Sequence, residues 1–191
     1  EANGPHRYIA MAATSGAADK VTAITGPQLA GYLADGYQIL DMRPTYEREK
    51  IYPRASLHVQ YMKEREESGG LDLGAMFRKQ TASQYAGYYR DFERNAKLEE
   101  ETDALGLGKA AKLVCVCADG LRSIQGLRSL QDHGYTQLVV LQKGLQSLTE
   151  EEQKVLESVG TNVPVGYRKA CLDDGGLFTA NLFENISNVK W

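Results

Sequence analysis

The stretch Lys112-Leu113-Val114-Cys115-Val116-Cys117-Ala118-Asp119-Gly120-Leu121-Arg122-Ser123-Ile124 runs from an unbroken apolar segment into a short polar turn and on toward a helix. The segment 112–116 has the length and apolar continuity of a strand buried on both faces. Beyond the turn, Ile124, Leu127 and Leu130 recur at helical spacing, and His133-Gly134 supplies a basic last turn and the glycine that closes helices. Leu138-Val139-Val140-Leu141 is the next apolar run. This strand, helix, strand alternation implies a parallel sheet covered by helices on both faces.

The same alternation continues toward the N-terminus. Val21-Thr22-Ala23-Ile24 reads as a strand, and Thr25-Gly26-Pro27-Gln28 opens a helix with a hydroxyl cap three residues before a glutamine and an early proline. Leu29, Tyr32 and Leu33 share a face of that helix, and Asp35-Gly36 stops it. Gln38-Ile39-Leu40-Asp41-Met42-Arg43-Pro44 reads as a strand that ends at a proline, residues 46–50 as a helical turn, and Leu57-His58-Val59 as a second short strand.

Residues 60–96 become charged and aromatic, with Met76, Phe77, Tyr85, Tyr88, Tyr89 and Phe92 mostly at helical intervals, so an inserted helical region is expected there, its tyrosines used for packing. Thr149-Glu150-Glu151-Glu152 is a second capping box, expected to open a helix through Val155, Leu156 and Val159 to Gly160. The domain is therefore expected to span 20–160, with residues 1–19 as an extended arm and 161–191 as a C-terminal extension. That extension lacks periodicity yet carries Phe178, Leu182, Phe183, Ile186 and Trp191, side chains that water would leave uncovered.

With 191 residues, of which 42% are hydrophobic, the chain suits one domain with appended segments. A net charge of -3, from 22 basic and 25 acidic residues, offers nucleic acid or an anionic membrane no basic excess. No stretch reaches the roughly 18 apolar residues of a membrane-spanning helix, which leaves peripheral association as the membrane relation compatible with the sequence. The three cysteines, Cys115, Cys117 and Cys171, do not form the spaced framework of a disulfide scaffold, so a reducing compartment is expected. Cys115-x-Cys117 lacks a second pair of ligands, and His6, His58 and His133 are scattered, so neither metal nor cofactor is expected.

Cys117 stands where a strand gives way to a helix, a place where backbone N–H groups and the positive end of the helix dipole converge to lower a thiol pKa. Gly120 lets the turn take backbone angles closed to other residues, and Arg122 adds a permanent cation suited to binding an oxyanion or bracing the loop. Asp119 brings a carboxylate into the same turn, where it would repel an anionic donor. Cys115, two residues back on the same strand face, reads as core, with a resolving thiol for Cys117 as the alternative.

In Cys117, Gly120, Arg122 and Ser123 the chain resembles the rhodanese family of sulfurtransferases, whose active loop reads Cys, a variable pair, Gly, a variable residue, Arg, Ser after a buried strand. Two further family marks follow in order: Asp41-Met42-Arg43 matches the Asp-x-Arg after the first long strand, and the segment 141–148 matches the strand followed by Gly-Gly-x-x-x-Trp, with Lys143 and Leu148 in place of a Gly and the Trp. Residues 51–56, Ile-Tyr-Pro-Arg-Ala-Ser, stand where the family has Gly-His-Ile-Pro-Gly-Ala. The related dual-specificity phosphatases need Cys-x5-Arg, whereas the spacing here is Cys-x4-Arg from Cys117 and Cys-x6-Arg from Cys115, which disfavours phosphatase chemistry.

The resemblance implies an α/β fold with a central parallel five-stranded sheet, helices on both faces, and a Cys117 persulfide cradled by Ala118, Asp119, Gly120, Leu121, Arg122 and Ser123, with Asp41 and Arg43 either bracing the loop or forming an ordinary ion pair. It implies a small thiosulfate-like sulfur donor and a thiol acceptor. Through residues 91–95 the chain is similar to the single-domain plastid rhodaneses of plants, and Arg7-Tyr8-Ile9-Ala10-Met11-Ala12-Ala13-Thr14-Ser15 has the character of an organelle processing site, so a chloroplast location, in the stroma or on the stromal face of the thylakoid, is expected. The competing expectation is a non-catalytic structural or regulatory subunit of a photosynthetic membrane complex, docked through residues 1–19 and 161–191.

Overall fold

Five strands too short to stand alone gain their stability by pairing in parallel between two layers of helix. In the computed structural model, which describes residues 21–65, 72–86, 90–163 and 166–167 (for 82–86 the backbone only), β1 (Thr22–Ile24) leads into α1 (Gly26–Ala34) and β2 (Gln38–Asp41). There follow α2 (Thr45–Arg48), β3 (Tyr52–Pro53), β4 (Leu57–His58), β5 (Met62–Glu64), α3 (Leu73–Ala86) and β6 (Phe92–Arg94). The chain continues through α4 (Leu98–Asp103), β7 (Lys112–Val116), α5 (Leu121–Asp132) and β8 (Gln137–Leu141), then a 3-10 turn (Leu145–Ser147), α6 (Glu150–Lys154) and β9 (Ser158–Val159). The sheet order is β1-β8-β7-β2-β4, and each neighbouring pair is parallel.

The alternation of side chains along β7 divides the core. Val114 and Val116 join Ile24, Ile39, Val139 and Leu141 on one face, covered by Leu29 of α1 and by Leu145, Leu148 and Leu156. Leu113 and Cys115 join Leu40, Leu138 and Val140 on the other, covered by Leu98 of α4 and by Leu127 and Leu130 of α5. The structure thus has the five-stranded parallel sheet with helices on both faces that the sequence led us to expect. No helix among the described residues is long and apolar enough to cross a membrane.

Two local readings change. The region 60–96 is not helical throughout: β5 pairs antiparallel with β6, and α3 lies between them in the chain. Met76 and Phe77 on α3 are exposed, while the side chains of Tyr85, Tyr88 and Tyr89, expected to pack, lie outside the described residues. The helix opened by Thr149 ends at Lys154, because Glu157 turns to φ +44°, Leu156 O accepts from Arg54 N at 3.2 Å, and β9 pairs with β3. The expected arm, residues 1–19, and the extension beyond Tyr167 also lie outside the described residues.

Candidate active site

Parallel strands deliver their carboxyl ends, and the loops that follow, to one edge of the sheet. Cys117 follows β7, Asp41 ends β2, and Gly144 lies just beyond β8, so one edge collects the loops that matter. The turn from Cys117 to Gly120 is tight because Gly120, the N-cap of α5, sits at φ +93°, in left-handed space that glycine enters without strain.

That turn folds its donors onto sulfur. Gly120 N–H donates to Cys117 Sγ at 3.0 Å and Ser123 N–H at 3.4 Å, while Ser123 Oγ lies 3.4 Å from Sγ and itself donates to Gly120 O at 3.0 Å. Cys117 and Ser123 are fully buried. Asp119 turns inward: its Oδ1 accepts from Leu121 N–H at 3.0 Å and lies 3.4 Å from Sγ, within reach of the thiol proton. A carboxylate of the chain itself therefore takes a backbone donor that the sequence reading assigned to an external anion. Ala118 contributes its carbonyl, which accepts from Gln146 N at 3.1 Å, and Cys117 O accepts from Leu145 N at 2.9 Å.

The loop after β8 is built to admit those contacts. Gly144 adopts φ +65°, and a Cβ there would overlap the Ala118 carbonyl oxygen and stand 2.6 Å from Asp119 N. Lys143, in place of the family's glycine, holds φ +61°.

The Arg122 guanidinium is held by a carboxylate of the chain itself. Its Nη1 and Nη2 donate to the two Glu47 carboxylate oxygens at 2.6 and 2.8 Å, tying the start of α5 to α2. Glu47 was missed in the sequence, where it is one acidic residue in a helical turn with nothing to link it to Arg122, 75 positions away.

Asp41 and Arg43 form a buried pair in which Arg43 Nη2 donates to Asp41 Oδ2 at 2.7 Å and Arg43 Nε to Oδ1 at 2.9 Å. Burial alone would raise the Asp41 pKa, but the Arg43 charge and hydrogen bonds outweigh it and hold the carboxyl below its usual range. Arg43 Nη2 also donates to Ile51 O at 2.8 Å, closing the loop that carries α2. The pair thus ties down the segment that carries α2 and Glu47.

The thiol pKa is shifted opposite to the direction the strand-to-helix junction suggested. Burial pushes the Cys117 thiol up and the Asp119 charge adds to it, against the opposing pull of Arg122 and the Ser123 hydrogen bonds. Cys115, in the core beneath α5, is pushed up to about 12 by burial and by Cys117. The resting loop therefore holds a protonated, enclosed thiol beside two convergent N–H groups. Such a site suits nucleophilic chemistry once the loop admits a reagent and the proton leaves.

Comparison with known proteins follows the same lines. The family model described as a rhodanese-like domain matches residues 27–151. The chain is 30% identical over 144 residues to rhodanese-like domain-containing protein 10 of Arabidopsis thaliana, covering 72% of this chain and 65% of that protein. It is also 30% identical over 142 residues to rhodanese-like domain-containing protein 11, chloroplastic, of the same plant, covering 70% of this chain and 46% of that one. The match thus spans less than two thirds of either relative. Among solved structures, a rhodanese-related protein from Thermoplasma volcanium aligns with a TM-score of 0.44 at 19% identity, covering 68% of this chain and 92% of that one.

Proposed function

The chain belongs to the rhodanese-like domain family, and from that premise we propose that it carries sulfane sulfur as a persulfide on Cys117, taken from a small donor and passed to a thiol acceptor. The observation that supports this most is the convergence of Gly120 N–H and Ser123 N–H on Cys117 Sγ at a strand-to-helix turn. Two donors fixed in advance around one sulfur stabilise charge that develops there without reorganisation during the reaction.

With thiosulfate as donor, the Cys117 thiolate attacks the outer sulfur, a new S–S bond forms, the old one breaks, and sulfite leaves with the electron pair. Cys117 then bears a persulfide. An acceptor thiolate attacks its outer sulfur, and Cys117 departs as thiolate. Ala118 to Ser123 form the cradle, Glu47 positions the loop through Arg122, and Asp41 and Arg43 act as positioning residues through the segment that holds α2.

Protein 11 and protein 9 of Arabidopsis, the latter 24% identical over 136 residues, are named chloroplastic, which supports a chloroplast location for this chain; within the chloroplast, the stroma or the stromal face of the thylakoid is the placement we propose. The domain boundaries we propose are 20–160.

A second reading draws on the raised Cys117 pKa and the inward Asp119: a non-catalytic structural or regulatory subunit of a photosynthetic membrane complex, held by residues 1–19 and 161–191. Intact mass separates the two. The purified protein is exposed to thiosulfate, and separately to glutathione persulfide, then weighed before and after reduction beside Cys117→Ser. A reducible gain of one sulfur, absent from the variant, is the expected result; no gain from either donor would overturn sulfur transfer in favour of the subunit.

A further inference from the structure

Within the cradle, the position an incoming anion would use is filled from inside the chain. Asp119 Oδ1 holds Leu121 N–H at 3.0 Å and lies 3.4 Å from Cys117 Sγ, on the rim of an otherwise enclosed sulfur. Arg122, whose charge acts on Cys117, is already matched by the bidentate Glu47 carboxylate, so it offers little net positive charge to an approaching dianion. Leu121 presents an apolar surface, 42% exposed, beside the same rim. The approach to sulfur is thus bordered by the Asp119 carboxylate, by an Arg122 cation matched by Glu47, and by the apolar Leu121 side chain.

Building on the sulfur-transfer reading, we propose that Asp119 is a charge filter that sets the donor class: the site rejects reagents that bring anionic charge to the cradle, such as thiosulfate, and takes sulfur from low-charge persulfides. In the favoured step the Cys117 thiolate attacks the terminal sulfur of R–S–SH; the new S–S bond forms as the old one breaks, R–S⁻ leaves, and the proton stays on the transferred sulfur. The departing charge then resides on a thiolate whose R group lies outside the cradle, whereas sulfite would leave as a dianion beside Asp119. Like charges a few ångströms apart at a partly desolvated rim are enough to change rates by an order of magnitude.

The test uses two reagents that share leaving group and mechanism and differ in charge, neutral iodoacetamide and anionic iodoacetate. Their alkylation rates at Cys117 are followed by peptide mass in wild type and in Asp119→Asn, whose amide oxygen can keep the Leu121 hydrogen bond. Any change in thiol acidity moves both rates together, so their ratio isolates the filter. The expected result is a rise of about tenfold in the iodoacetate-to-iodoacetamide ratio in Asp119→Asn, shrinking at high salt as charge is screened. A matching rise is expected in thiosulfate loading relative to glutathione persulfide loading. An unchanged alkylation ratio overturns the filter, whatever the donors do. A raised ratio in a protein that no donor loads keeps the filter and overturns sulfur transfer.

Discussion

Replacing Glu47 by glutamine should destabilise the domain and make its buried thiol more acidic at the same time. Glu47 meets both terminal nitrogens of Arg122, and the two side chains are 8% and 19% exposed. Removing one partner of a buried pair costs roughly 3–5 kcal/mol. Because Arg122 keeps some water and the amide keeps one acceptor, about 1–3 kcal/mol is expected here. At roughly 2–4 °C per kcal/mol for a chain of this size, that lowers Tm by about 2–12 °C. The Arg122 charge pulls the Cys117 pKa down against burial and Asp119, and Glu47 offsets that charge. With a neutral amide in its place the pull strengthens, so the pH midpoint of iodoacetamide alkylation at Cys117 should fall, whereas Arg122→Met should raise it. Thermal unfolding together with an alkylation pH profile reads both effects. A Glu47→Gln protein with unchanged Tm, or with a midpoint that stays or rises, would refute the bracing and electrostatic roles assigned to the pair.

Gly144→Ala would put a Cβ into the Ala118 carbonyl at φ +65°, so a loss of about 2 kcal/mol or more is expected, with sulfur loading of the folded fraction falling further than stability does; intact mass below the unfolding transition checks it. Cys115→Ala should leave loading on Cys117 in place at a stability cost of about 1 kcal/mol, since Cys115 is a core side chain whose thiol is pushed up to about 12. Alkaline unfolding gives the sign independently. Below about pH 9 both folded and unfolded chains keep the Cys115 proton, whereas above it the unfolded chain releases a proton that the fold retains, so stability should fall with pH by about 1.4 kcal/mol per unit per buried thiol. Urea denaturation at rising pH should show a shallower fall in Cys115→Ala.

Features written in local pattern were legible, and those that depend on distant pairing were not. The apolar run 112–116 became β7, and Thr25 with Gln28 opened α1, the Gln28 side chain accepting from the Thr25 backbone at 2.9 Å. Thr149 likewise opened α6, with its hydroxyl accepting from Glu152 N–H at 3.3 Å. The end of α6 differs from the sequence reading because Val159 continues the apolar periodicity of Val155 and Leu156, whereas Ser158 and Val159 pair with Pro53 and Tyr52, a contact no local window contains. In the cradle, Gly120 and Ser123 were assigned by type and spacing, while Glu47 needed the packing of α2 against α5 to acquire a role. The sign of the Cys117 shift failed for a related reason. Convergent N–H donors are visible in a strand-to-helix junction, but the burial that outweighs them is a property of the whole sheet edge.

The same unevenness decides how a reagent reaches sulfur. Cys117 is pinned on one side by Leu145 N–H on its carbonyl and on the other by Ser123, whose buried hydroxyl holds Gly120 O. Ala118 is pinned by Gln146 N–H, and Arg122 by two charged hydrogen bonds. Breaking any of these exposes buried polar groups or an unmatched charge, at about 1–3 kcal/mol for each neutral group and more for the ion pair. The Asp119 to Leu121 contact is different, since it lies at an exposed position and water can replace it, so its loss costs only about 0.5–1.5 kcal/mol. A cost of that size leaves the open rim populated at roughly a tenth or more of molecules. Swinging Asp119 outward frees Leu121 N–H as a third donor and removes a charge that adds to burial in raising the thiol pKa. An anion that reacts only through that open fraction is slowed by no more than about tenfold, which sets the ceiling on the discrimination exerted by Asp119.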